Sequence, residues 1–80
     1  MKHTLKLLKE FAELKLQELK PFEIRKDDRN FCVGDLIVYV VPDDEELSKV
    51  FKNRIYRIEY ITNYAQKEGY VVFTDKLLFW

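Results

Sequence analysis

A single cysteine, Cys32, among 80 residues leaves no partner for an internal disulfide. The fold must therefore hold by packing and hydrogen bonding, and a reducing cytoplasm is the expected compartment. Cys32 lies between Phe31 and Val33, where a small buried hydrophobe is expected rather than a nucleophile. Glycine and proline are scarce, two of each, which excludes the low-complexity compositions that stay unfolded. The one histidine, His3, has no cluster of cysteine, histidine and acid around it at ligand spacing, so neither a metal site nor a cofactor is expected. No apolar run nears the ~20 residues that cross a bilayer, and the first residues lack a signal peptide's apolar block, so no membrane association is expected. Net charge is missing as well. Fourteen Lys and Arg balance fourteen Asp and Glu, which argues against a non-specific duplex binder, whose affinity comes from neutralising phosphates. A small shaped site reading one or two bases remains open.

What is present is a folded chain. It is 48% hydrophobic and 15% aromatic, enough to build a core. Residues 1–80 make one domain that buries only about 60% of its unfolded surface. His3 to Leu7 reads as a short strand with His3, Leu5 and Leu7 on one face. Lys9 to Leu19 reads as an amphipathic helix: Leu8, Phe11, Ala12, Leu16 and Leu19 recur at spacings of three and four, with Glu10, Glu13, Glu18, Lys9 and Lys15 on the solvated side. Pro21 ends it. Phe22 to Lys26 alternates as a strand, and Lys26 to Asn30 is a polar loop closed by Gly34-Asp35. Leu36 to Val41 is apolar on both faces and rich in β-branched residues, as a covered central strand would be. Asp43 to Glu46 opens either a loop or one helical turn whose apolar side is Leu47, Val50 and Phe51. Arg54 to Ile61 alternates, with Arg54, Tyr56, Ile58 and Tyr60 on one face. A polar connection ends at Gly69, and Tyr70 to Thr74 is another apolar strand. Lys76 to Trp80 pairs as a last strand or forms an apolar patch that a second copy covers, so Phe79 and Trp80 are expected to be buried and a weak homodimer through this terminus is one outcome. Five short strands and one main helix, with a short second helix as an option, imply an α+β domain built as a small open β-barrel.

The stretch from Lys20 to Asp35 carries the chemistry. Alternation puts Glu23 and Arg25 on one face of their strand and Phe22 and Ile24 on the other. One account of the charged pair is a solvated face contributing about 0–1 kcal/mol; the other is the lining of a cleft. Lys20-x-x-Glu23-x-Arg25 resembles the second part of the G-x-K-x-x-E-x-R signature of ASCH domains, relatives of the PUA fold. The run Phe22-Glu23-Ile24-Arg25-Lys26-Asp27-Asp28-Arg29, followed by Gly34-Asp35, is similar to one small ASCH-like family of unknown function from bacteria and phages, to which RNA binding is often attributed. His3-Thr4-Leu5-Lys6 resembles that family's opening, and Arg54 to Ile61 with Gly69-Tyr70-Val71-Val72 its closing strands. The signature glycine falls at Glu18, which bears on the tight turn between helix and strand.

The resemblance implies a PUA-like barrel and a ligand site made by Lys20, Glu23 and Arg25, with Arg29 at its rim and His3 nearby. It also implies RNA or a nucleotide as the partner. Lys20 and Arg25 would donate to phosphate or a base edge. Glu23 would accept from an exocyclic amine or hold Arg25 in place, and bases would stack on Tyr56, Tyr60 or Phe31. Two other classes stay open. Some ASCH relatives hydrolyse an acylated cytosine nucleoside with a lysine, a threonine and a glutamate; Lys20 matches that lysine, but Glu23 stands where they carry threonine, so no catalytic residue is assigned. The third class is a protein-interaction module using the apolar terminus.

Overall fold

The computed structural model of the chain describes residues 1–79, with Phe79 through its backbone alone. The expectations placed on Trp80 and on the side chain of Phe79 lie outside the described residues. The elements are β1 (Lys2–Lys6), α1 (Lys9–Leu16), β2 (Phe22–Lys26), β3 (Leu36–Val40), α2 (Glu45–Lys52), β4 (Ile55–Thr62) and β5 (Tyr70–Phe79). The five strands make one sheet in the order β1-β3-β4-β5-β2, curved into a half-barrel. β1 runs parallel to β3, while β3–β4, β4–β5 and β5–β2 are antiparallel. β1 and β2 are the two edges. Among the described residues no helix is long and apolar enough to cross a membrane.

The strongest β sequence takes an interior place, as its composition requires. Ile37 and Tyr39 of β3 are buried and Leu36, Val38 and Val40 are half-buried, so one face is sealed and the other only partly covered. Two aromatic groups fill the core. Tyr39, Phe51 and Tyr56 meet with ring centroids 5.3–6.3 Å apart; Phe31 packs between His3 at 4.8 Å and Phe73 at 5.2 Å. Phe31 takes that core position, which leaves Cys32 exposed and corrects the expectation of a buried thiol.

Four expectations about elements need correction. The acidic run opens a full helix, because the Asp44 carboxylate accepts from the Leu47 N–H at 3.0 Å and caps α2; the fold thus has two helices of equal length, eight residues each. The segments expected as Tyr70–Thr74 and Lys76–Trp80 are one continuous β5, paired along its length with β4 and β2. In β4 the alternation breaks where the register shifts between Ile58 and Tyr60. The extra residue, Glu59, reverses the facing, so Tyr60 is exposed while Ile61 packs on the core.

The fourth correction concerns α1, which stops at Leu16 rather than Leu19. Glu18 N–H bonds the Lys15 carbonyl at 3.0 Å and Leu19 N–H the Leu14 carbonyl at 2.9 Å. This pair of bonds is a Schellman motif, which needs a left-handed residue one place beyond the C-cap. That residue is Glu18, at φ 59°, the position where the ASCH signature has glycine. The turn is therefore made with a side chain that strains it. Glu18→Gly should raise stability by about 0.5–1 kcal/mol, the Cβ strain relieved less the entropy of a freer unfolded chain. Glu18→Ala keeps the Cβ and should gain nothing. Urea unfolding of both variants separates relief of strain from loss of the carboxylate.

Candidate functional site

Two-residue alternation fixes that Glu23 and Arg25 share a face but not which face is inside. The structure turns the charged face inward. Glu23 is buried at 2% exposure, whereas Phe22 and Ile24 are 40% and 54% exposed, the reverse of a half-buried strand with a solvated polar side.

The reason is the company Glu23 keeps. Its Oε2 accepts from Lys20 Nζ at 2.9 Å and from Lys15 Nζ at 3.2 Å; its Oε1 accepts from Arg25 Nη2 at 3.0 Å and Nε at 3.3 Å. Four donors fill the roughly four acceptor positions of a carboxylate. Burial by itself pushes the Glu23 carboxyl up, but Lys15, Lys20 and Arg25 together outweigh it and hold the group below the usual glutamate range. Of the two roles considered for Glu23, holding Arg25 in place fits this saturated geometry.

Sequence reasoning missed two members of the cluster. Lys15, expected on the solvated side of α1, is buried, and it bridges Glu23 to Asp75 of β5, whose Oδ1 lies 3.0 Å away. Its remaining surroundings are the rings of Tyr39 and Tyr56, with centroids 5.0 and 5.2 Å from Nζ, so the ammonium is enclosed by two carboxylates and two π faces. The signal was available: residue 15 falls on the same helical stripe as 8, 11, 12, 16 and 19, in its middle. Asp75 gave no comparable signal. It also accepts from the Tyr39 hydroxyl. Burial raises the Asp75 carboxyl above the usual range, against the opposing pull of Lys15 and Tyr39. Burial first and the neighbouring Asp75 charge second raise Tyr39 well above the usual phenol value.

The cluster keeps Lys20 and Arg25 at the surface. They line a cleft of about 500 Å³ with Phe11, Phe22 and Ile24. Lys20 Nζ lies 5.2 Å from the Phe11 ring centroid and 5.3 Å from that of Phe22, and it spends two of its three N–H donors on Glu23 and the Phe22 carbonyl. Arg25 also reaches the Lys6 carbonyl at 2.9 Å through Nη2, which leaves its Nη1 donors free among the described residues. On the other side of Lys20 a second cleft, of about 450 Å³, reaches Lys15, Asp75, Arg54 and Tyr56.

The remaining expected site residues separate. Arg29 lines not the cleft but the neighbouring groove, with Arg25, and donates to the Thr4 carbonyl at 3.0 Å. His3 lines neither cleft. It is buried, its Nε2 2.8 Å from Asp35 Oδ2, and Asp35 also accepts from the Cys32 N–H at 3.0 Å and the terminal amine at 3.2 Å. Burial would raise Asp35, but these donors hold it below the usual range. Of the rings expected to stack on a base, Phe31 is in the core and borders the neighbouring groove, Tyr56 lines the second cleft and Tyr60 lines neither cleft, while Phe11 and Phe22 line the first. Among the described residues no group of three or more His, Cys, Asp or Glu could hold a metal ion.

The ion cluster sets an acid limit on stability. A carboxyl held low in the folded state binds fewer protons there than in the unfolded chain, so its contribution is complete above the unfolded value of about 4.3 and is lost as pH falls through the folded value. Asp75, raised on folding, works in the opposite sense: its contribution is present at low pH and is lost as pH rises through its folded value. Glu23→Gln should therefore lower stability at pH 7 by about 3 kcal/mol, because it leaves buried cations uncompensated. It should also flatten the loss between about pH 5 and about pH 2, as pH falls past the unfolded value and through the folded one. Urea unfolding across that range checks both effects, and an unchanged acid slope would remove Glu23 from the explanation.

No curated protein matches the chain. A family profile does, over residues 2–74, a span that takes in β1, both helices, the ion cluster apart from Asp75, and β5 as far as Thr74. The chain belongs to that family, the domain of unknown function DUF3850.

Proposed function

We propose that the protein is an RNA- or nucleotide-binding module of the cytoplasm whose ligand enters the cleft at Lys20, Glu23 and Arg25. One observation carries the reading: a buried carboxylate, saturated by four donors, holds two partly buried cations against an apolar wall. Lys20 and Arg25 are prepaid in conformational freedom, since Glu23 fixes both. Both line the cleft with N–H donors left over among the described residues, beside Phe11, Phe22 and Ile24, which offer apolar surface to a base. Three cations around Glu23 and Asp75 leave an excess of one positive charge (Lys15, Lys20 and Arg25 against two acids), which suits a phosphate. The resemblance of Lys20-x-x-Glu23-x-Arg25 to the ASCH signature supports the same assignment, and the curved five-stranded sheet is compatible with a PUA-like barrel.

A second reading, chemistry on a bound nucleoside, is favoured by Asp75: this carboxyl lines the second cleft, accepts from the Lys15 ammonium and the Tyr39 hydroxyl, and is raised by burial, the surroundings of an acid–base group. Turnover of an N-acylated nucleoside that Asp75→Asn abolishes would support it.

The binding reading is tested with a nucleoside 5′-monophosphate. Removing a charge-assisted donor from a shielded site costs about 1.5–3 kcal/mol, so Arg25→Ala should weaken binding tenfold or more. Lys26→Ala, on the opposite face of β2, should change it less than twofold. Equal small losses that vanish at higher salt would mean diffuse surface attraction and would end the cleft reading.

A further inference from the structure

Resting on that binding reading, we infer that the ligand is a single strand of nucleic acid rather than a lone nucleotide. Its backbone leaves the cleft along a phosphate track on the outer edge of β1. The cleft continues into a groove of about 420 Å³ between this edge and the loop after β2, and Lys6 and Arg25 line both. The groove adds Lys26 and Arg29, against one acid, Asp28. Four cations and one anion give an excess of three positive charges on a chain whose formal net charge is zero.

The spacing of the two guanidinium groups supports a strand. Arg29 is tied to the Thr4 carbonyl at 3.0 Å and Arg25 to the Lys6 carbonyl at 2.9 Å. Thr4 and Lys6 are two residues apart on an edge strand, so the anchoring carbonyls lie roughly 6–7 Å apart. That separation is comparable with the distance between neighbouring phosphates of an extended single strand. Each guanidinium is held in position by a backbone group that cannot move with the ligand. Arg29 spends one of its five donors in this way and keeps four. Phosphates placed along β1 would thus meet preorganised donors, the free Nη1 of Arg25 and the bidentate Nε and Nη2 face of Arg29, while Lys6 and Lys26, unpaired among the described residues, add charge alongside. A mononucleotide occupying the cleft would use Lys20 and Arg25 and leave Arg29 idle.

The experiment compares a nucleoside 5′-monophosphate with a trinucleotide of the same base, as RNA and as DNA, by titration calorimetry at several salt concentrations. The trinucleotide should bind roughly tenfold or more tightly. The slope of log affinity against log salt should become shallower by about 0.7 for each phosphate contact removed in Arg29→Ala and in Lys26→Ala, which line the groove but not the cleft, with monophosphate binding unchanged. Lys49→Ala on α2 serves as the control. Among the described residues Lys26 makes no side-chain hydrogen bond, so its variant tests the track even if Arg29→Ala perturbs the edge of β1. Trinucleotide and monophosphate binding alike, or a trinucleotide advantage that survives both variants, would overturn the track and leave the cleft standing. An acidic peptide of equal charge that competes equally would also overturn it, since the groove would then be a general anion surface. Binding of neither nucleotide would overturn the cleft reading and the track together. Equal advantage for the RNA and DNA trinucleotides would support a backbone track, and an advantage confined to RNA would support one with the 2′-hydroxyl read as well.

Discussion

The four hydrogen bonds converging on Glu23 tie α1 and the connection after it to β2 and, through Lys15, to β5, the strand already paired with β2. Lys15 arrives from α1, Lys20 from the connection after it, Arg25 from β2 itself, and Asp75 is drawn in from β5 through Lys15. α1 buries Ala12 and Lys15 and packs Leu16 on the core, so its attachment rests on the ion cluster as well as on apolar area. Breaking a buried ion pair by removing one partner costs about 3–5 kcal/mol, a large part of the 5–15 kcal/mol by which native domains are stable. The cluster also fixes register. A slip of β2 by one residue would turn Phe22 and Ile24 inward and expel the carboxylate, because side chains alternate with a period of two.

This dependence explains which parts of the fold were legible in the residues. Leu36 to Val40 announced an interior strand by composition, the acidic run Asp43 to Glu46 left a helical turn as one of two outcomes, and Gly34 and Gly69 marked turns that do run at φ 93° and 83°. Local pattern was enough there, since the cause is local. It failed at β2, where alternation sorts residues into two faces but tertiary partners decide which one is buried. It failed at Lys15 for a related reason: the helical stripe contains the position, and the residue type argued it out of the core. It failed at Asp75 because nothing near in sequence identifies a carboxylate whose partners are Lys15 and Tyr39, sixty and thirty-six residues away. Of the candidate site, convergence of Lys20, Glu23 and Arg25 could be expected from sequence. The buried half of the cluster and the rings lining the cleft could not.

Arg25 and Arg29 also act on the fold in a way that bears on the groove. Edge strands expose unpaired carbonyls and amides and invite association with other chains. Here the two open edges of the half-barrel, β1 and β2, belong to the same gap, and the arginines cross it to cap β1 at Lys6 and Thr4. The phenyl ring and aliphatic side chain on the outer face of β2, Phe22 and Ile24, border that gap, so a purely apolar lining would have made a sticky edge. Guanidinium groups give it charge while leaving donors to spare.

A zero net charge therefore conceals an unequal arrangement. Glu23, Asp35 and Asp75 are turned inward and have their acceptor capacity taken up by protein donors, and Asp44 is spent on capping α2. Acids used this way project little field into solvent, whereas Lys6, Lys20, Arg25, Lys26 and Arg29 line one continuous depression with donors unspent. The potential a ligand meets is set by the charges it can reach through a focusing, low-dielectric cleft, not by the sum over the chain. Formal neutrality excludes indiscriminate binding to duplex, because most of the surface carries both signs. It does not exclude a local anion site, and internal pairing of the acids is the means by which a neutral chain of this size can present one.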